Sequence, residues 1–138
     1  MKIGLDIHGV IDAYPQLFSK LSNMWVGKGY EVHIVTGQEW EGVVGKVEEA
    51  KISYTHHFSI VDYHKSIATK MWDNDPRGKG WWMEGDIWTR SKGDYASRVD
   101  LDLHFDDSKS YAKYFPETCS FVCVGTRDFE KFVNCFSG

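Results

Sequence analysis

The chain has 138 residues, a net charge of -4 and 26% charged residues, the size and balance of one soluble globular domain able to bury its own core. A mildly acidic balance argues against duplex nucleic acid, whose phosphate backbone favours basic partners. No stretch approaches the ~20 apolar residues of a membrane span, and the N-terminal run MKIGLDIHGVI is too short and too acidic for a signal peptide, so a cytoplasmic protein is expected.

The first predicted element is a buried strand, KIGLDI, at Lys2–Ile7. Tyr14–Lys28 follows as a helix: Leu17, Leu21, Met24 and Trp25 recur at helical spacing, and Gly27 and Gly29 end it. Glu31–Val35 reads as a second strand and Glu39–Lys51 as a second helix, with Val43, Val44 and Val47 on one face. Ser53–Ile60 reads as a third strand. The stretch Val61–Ser91 is the least regular. It holds Asn74, Asp75, Pro76, Gly78 and Gly80, and reads as a mostly looped excursion with one short helix near Tyr63–Met71. Lys92–Arg98 reads as a short helix, Val99–Phe105 and Ser120–Val124 as strands, and Asp128–Phe136 as a closing helix. Strand–helix alternation predicts a single α/β domain over 1–138, a Rossmann-like three-layer α/β/α fold with a mainly parallel central sheet.

The three cysteines, Cys119, Cys123 and Cys135, contain no CxxC pair, which reads as reduced thiols. Cys119 and Cys123 stand four apart on a predicted strand, so both should point to one face and pack in the core.

Parallel sheets bind ligands at the carboxyl ends of their strands. Asp6-Ile7-His8-Gly9-Val10 follows the first strand, Thr36-Gly37 the second, and Asp106-Asp107-Ser108 the Val99–Phe105 strand. Carboxylates at two strand ends suit Mg²⁺, which prefers oxygen ligands. A hydroxyl followed by the free N–H groups of a glycine turn suits a phosphate. Each feature alone has an ordinary reading as a helix cap or turn; their order and matched placement carry the argument.

Together these segments resemble the haloacid dehalogenase (HAD-like) superfamily, over about residues 1–125. DIHGV resembles its first motif, IVTG its second and HFDDS its fourth. The third motif is a lysine near a helix start, and Lys92 in SKGDYASR fits best, ahead of Lys70 and Lys79. The resemblance implies a cap-poor phosphatase or nucleotidase. In it Asp6 attacks phosphorus to form an aspartyl-phosphate. Mg²⁺ is held by Asp6, the main-chain carbonyl of His8 and Asp106, with Asp107 as ligand or close by. Thr36, the Gly37 N–H and Lys92 hold the phosphoryl oxygens. Asp6 and Asp106 should then converge on one metal.

His8 departs from the pattern, because the superfamily's phosphatases carry a second aspartate there. Three readings stay open. An imidazole can serve as acid and base near neutral pH. Loss of the carboxylate can slow breakdown of the aspartyl-phosphate or shift the reaction. Or the protein binds a phosphorylated nucleotide or signalling ligand and hydrolyses it poorly.

One helix alone fits between the first two strands, so a cap there is absent, and the excursion is too short for a full α/β cap. Trp72, Trp81, Trp82 and Trp88 lie in it with Arg77, Lys79 and Arg90. Trp81 and Trp82 are candidates to face the ligand from a lid, since aromatic faces beside cations can stack a base and pair with phosphates; packing of these rings onto the core is the alternative. The expected partner is a small phosphorylated substrate such as a nucleotide, with no membrane partner and with a homo-oligomer compatible. His56, His57, His64 and His104 read as structural or surface residues, and the neighbours His56 and His57 must face opposite sides of a strand.

Overall fold

The computed structural model describes residues 1–73 and 80–136. The turn residues Asn74, Asp75, Pro76 and Gly78, and the cations Arg77 and Lys79, lie outside them. In chain order the elements are β1 (Lys2–Leu5), α1 (Pro15–Gly27), β2 (Glu31–Thr36), α2 (Trp40–Glu49), β3 (His56–Ser59), α3 (Ile60–Ser66), β4 (Met71–Trp72), β5 (Trp82–Met83), α4 (Ile87–Val99), β6 (Leu103–Asp106), β7 (Ser120–Cys123) and α5 (Arg127–Phe136). A helical turn at Ile7–Ile11 follows β1 and a 3₁₀ segment at Lys109–Tyr114 follows β6.

Five parallel strands form the sheet in the order β3-β2-β1-β6-β7. Helices cover both faces of the sheet, and β1 and β2 bury nearly every residue. On one face Ile3, Leu5, Val32, Ile34 and Phe105 meet Phe18 and Leu21 of α1, Val43 and Val47 of α2, and Phe129 of α5. Phe18 is fully buried and sets its ring edge-on to Phe105 at 5.4 Å; truncating such a core phenylalanine to alanine costs about 3–5 kcal/mol. On the other face Val35, Phe58 and Ile60 meet Met83, Ala96, Leu101 and Cys119, with Tyr63, Tyr95 and Phe115 at the margin. Along this second face the register pairs His56 with His33, His33 with Gly4, and Gly4 with His104. Three imidazoles and one glycine therefore form a row across the sheet.

Three expectations change. The excursion is more ordered than its composition predicts. α3 begins directly after β3, where the Ser59 hydroxyl accepts from the Asp62 N–H at 3.1 Å, and β4 and β5 form an antiparallel hairpin with Trp72 stacked on Trp82. The helix expected at Lys92–Arg98 runs from Ile87 to Val99: its first turn is rich in aromatic and β-branched residues, and packing overrides that weak propensity. The strand expected at Val99–Phe105 begins at Leu103. Asp100 takes the left-handed conformation that ends α4 (φ 59), and Leu101 is buried by that cap rather than by strand pairing. Cys119 is buried just before β7, where burial and then Asp102 push its thiol up to about 11. Cys123 ends β7 half-buried, and Cys135 is exposed.

Candidate functional site

The chain runs from β1 to β2 to β3 in one direction, then returns to place β6 on the other side of β1. The carboxyl ends of β1 and β6 therefore flank the point where strand order reverses, the place where open α/β sheets form a crevice. Asp6 lies immediately after β1, continuing the pairing through its N–H to the Phe105 carbonyl at 3.0 Å, and Asp106 ends β6. Thr36 ends β2 on the other side of β1.

Lys92, on the buried side of α4, reaches between the two acids. Its Nζ donates to Asp106 Oδ2 at 2.8 Å and stands 3.3 Å from Asp6 Oδ1. Lys92, Asp6 and Asp106 are all buried. Burial alone lowers a lysine, yet Asp6 and then Asp106 outweigh it and hold the Lys92 ammonium above the ordinary lysine range. Burial likewise pushes against ionisation of Asp106, but His104 and Lys92 prevail and hold it well below the usual carboxylate range. At Asp6 burial wins. It lifts the carboxyl to about 7, with Lys92 opposing and Asp106 and Asp107 adding to the rise. Asp107 is raised by burial and by Asp106.

Asp6, Asp106 and Asp107 each present a carboxylate oxygen within 4.8 Å of the others. Three carboxylates thus face one ammonium, an all-oxygen, charge-deficient set whose chemistry fits a small hard divalent cation. Gly9 lets this happen. Its φ is +74°, and a Cβ there would lie 2.3 Å from Asp107 Oδ2, so a side chain would displace the acid.

Thr36 is fully buried, and its Oγ1 accepts from the Gln38 N–H at 3.3 Å. Gly37 is covered by an aromatic ring: a Cβ at Gly37 would come 2.6 Å from Trp88 Cζ2. Trp88 donates its indole N–H to Tyr111 Oη at 3.1 Å, and the Lys92 ammonium lies 4.7 Å from the centre of the Tyr111 ring. Trp88 and Tyr111 therefore wall the space beside Gly37 and Lys92. Trp81 donates to Glu39 Oε1 at 2.9 Å with Lys65 over its ring, Trp82 stacks on Trp72, and Lys70 lies over Trp72. Of the tryptophans in the excursion, Trp88 is the one that touches Gly37.

His8 is half-exposed in the turn after β1, with Nδ1 3.4 Å from Asp12 Oδ2. The other oxygen of Asp12 accepts from the Gly9 N–H at 2.7 Å. Asp12 thus ties the His8 ring to the same turn that carries Asp6, a role the sequence reading missed. His104, read from the sequence as structural or surface, is buried beside Asp106. Its Nε2 stands 3.0 Å from Asp106 Oδ2, and its Nδ1 is buried without a partner among the described residues. The ring fits because residue 4 is glycine: a Cβ there would lie 2.5 Å from His104 Nδ1. His104 had a signal in hindsight, since it stands two residues before Asp106 on one strand and so shares its face; Asp12 had none, because it reaches His8 across a turn that is not helical at His8 and Gly9.

Comparison with protein-family models, curated protein sequences and solved structures finds no match to this chain. The structure itself defines an α/β protein with a parallel sheet of Rossmann-like architecture and a carboxylate–lysine cluster at its switch point. No helix among the described residues is long and apolar enough to cross a membrane.

Proposed function

We propose that this chain is a Mg²⁺-dependent phosphomonoester hydrolase that works through an aspartyl-phosphate on Asp6, with a nucleotide or similar small phosphorylated metabolite as substrate. The single observation that carries the reading is Lys92 seated between Asp6 and Asp106 at the reversal point of the sheet, with a third carboxylate beside them. The order of the segments DIHGV, IVTG and HFDDS, and their resemblance to the HAD-like superfamily, supports the same reading.

Asp6, Asp106 and Asp107, with the main-chain carbonyl of His8, are the residues that would hold Mg²⁺, which lets an anionic carboxylate meet an anionic phosphate. In the first step an oxygen of ionised Asp6 bonds to phosphorus as the bond to the ester oxygen breaks, and the leaving oxygen takes a proton from the His8 imidazolium. In the second, neutral His8 accepts a proton from water, the water oxygen bonds to phosphorus, and inorganic phosphate leaves Asp6 ionised again. The Thr36 hydroxyl, the Gly37 N–H and the Lys92 ammonium hold the phosphoryl oxygens as charge shifts. Trp88 and Tyr111 border the leaving group.

A second reading keeps the site but not the turnover: a protein that sequesters a phosphorylated nucleotide or signalling ligand. The imidazole of His8, in place of a second carboxylate, favours it. One experiment separates the two. Phosphate esters, nucleotides first, are screened for release of phosphate with and without Mg²⁺, and the purified protein is examined by mass spectrometry for bound ligand. Mg²⁺-dependent release supports the hydrolase. A tightly held phosphorylated ligand without release supports the binder, and the absence of both results rejects both readings.

A further inference from the structure

At the opposite end of the sheet from Asp6, two strands bring together a second group of ligand-type side chains. Glu31 opens β2, His33 lies two residues on and so shares its face, and His56 opens β3 directly opposite His33. The Glu31 Oε1 is 2.9 Å from His33 Nε2 and 3.8 Å from His56 Nδ1. One ligand atom from each residue lies within 4.8 Å of the others. We propose that Glu31, His33 and His56 form a binding site for a borderline transition-metal ion, Zn²⁺ above all, that ties the edge strand β3 to β2.

Two imidazoles and one carboxylate are a donor set for Zn²⁺, where the all-oxygen cluster at Asp6 suits Mg²⁺. Glu31 Oε1 and His33 Nε2, 2.9 Å apart, stand near enough to share one ion as they are, and His56 opposite His33 is the third ligand. The three side chains are graded from inside to outside. His33 is 1% exposed, while Glu31 at 39% and His56 at 51% border solvent, so a water molecule can complete the coordination from the open side.

His33 also has the outer partner that a metal-bound histidine needs. Its Nδ1 is 2.6 Å from Tyr95 Oη on α4. With Nε2 on a metal, the Nδ1 hydrogen donates to that oxygen and fixes the tautomer. One movement is required. The His33 and His56 rings are face to face, 4.3 Å apart and 7° from parallel, and a shared ion must lie in both ring planes. His56 makes that turn: its side chain is half-exposed and is held through Nδ1 by Thr55 Oγ1 at 2.8 Å. Thr55 keeps its own bonds to the Val32 N–H and carbonyl.

The test is equilibrium dialysis of the untagged 138-residue chain against Zn²⁺ in the presence of excess Mg²⁺, with Co²⁺ as a spectroscopic substitute. The wild type should hold one Zn²⁺ per chain, unfold at higher urea when Zn²⁺ is present, and give the intense visible bands of four-coordinate Co²⁺. Glu31→Gln and His56→Ala change exposed side chains and should weaken Zn²⁺ at least about tenfold, with Tyr95→Phe about tenfold. Asp106→Asn should leave it unchanged. The proposal is overturned if the wild type binds no Zn²⁺, if Glu31→Gln and His56→Ala bind it as the wild type does, or if Asp106→Asn abolishes binding instead.

Discussion

The buried imidazole of His104 donates its Nε2 hydrogen to Asp106 Oδ2 across 3.0 Å. Lys92 donates to the same oxygen at 2.8 Å, and Asp106 Oδ1 accepts from the Ser108 N–H at 3.2 Å. Asp106 is thus fixed in one orientation, with Oδ2 held by the His104 and Lys92 donors and Oδ1 by the Ser108 N–H. His104→Leu should leave this carboxylate poorly held. Mg²⁺ affinity should fall about 10- to 100-fold, while stability falls by about 1–3 kcal/mol. His104→Gln keeps a donor at the position of Nε2 and should recover most of the Mg²⁺ affinity. Equal Mg²⁺ titrations for His104→Leu and the wild type would remove His104 from the site.

Among the described residues, Lys92 is the cation seated between the two buried acids Asp6 and Asp106. Removing it leaves buried negative charge without compensation, at a cost of about 3–5 kcal/mol. Lys92→Ala should therefore unfold at markedly lower urea than the wild type. Mg²⁺ should restore part of the loss, because the divalent ion supplies positive charge beside the same carboxylates. A variant as stable as the wild type without Mg²⁺ would mean that Asp6 and Asp106 do not depend on the ammonium.

His64 makes the acid side of the stability profile testable. It is buried between Thr69 Oγ1 and Ser91 Oγ, each 2.8 Å from a ring nitrogen, and burial, then Arg90 and Arg98, hold it below its ordinary 6.5. Between the folded and unfolded values the unfolded chain binds more protons, so stability rises with pH there, is complete above 6.5 and is lost on acidification. Urea midpoints taken from about pH 7.5 down to about pH 5.5 should fall more steeply for the wild type than for His64→Gln, by at most about 1.4 kcal/mol per pH unit. Parallel profiles would exclude His64 as a source of acid sensitivity.

His8 separates hydrolysis from retention of the ligand. If it is the acid and base, His8→Ala should lose about 100-fold or more in turnover, while His8→Asp keeps or raises it. Asp12→Asn, which weakens the hold on the ring, should lower turnover less than His8→Ala. In the binding reading the wild type turns over very slowly and His8→Asp gains activity. Equal, robust rates in all these variants would show that another group activates the water.

The alternating strands and helices were legible because the parallel sheet is buried on both faces and each helix carries a regular apolar stripe, as with Val43 and Val47 of α2. The segments ending in Asp6, Thr36 and Asp106 were legible because a strand end is a marked position in such a sheet. What lay hidden depends on contacts between distant segments. The alternation VDLDLHF imitates one strand, but Val99 ends a helix and Leu103 begins the strand. His56 was weighed against its neighbour His57, which indeed turns to the other face and stacks on Trp40. Its true neighbour is His33 on β2, and only strand register reveals that pairing. Trp81 and Trp82 were singled out as aromatic faces beside cations, whereas Trp88 is brought to Gly37 by α4, which begins at Ile87, five residues before the expected start at Lys92.

The nucleophilic role of Asp6 is tested most directly by acid-quenching the protein during turnover of a phosphate ester with Mg²⁺ and mapping the covalent adduct by peptide mass spectrometry. The account predicts one phosphoryl group on the peptide that contains Asp6, absent from Asp6→Asn, which should fold as the wild type does and release no phosphate. Phosphate release by Asp6→Asn at the wild-type rate, or a phosphoryl group on any other residue, would contradict it.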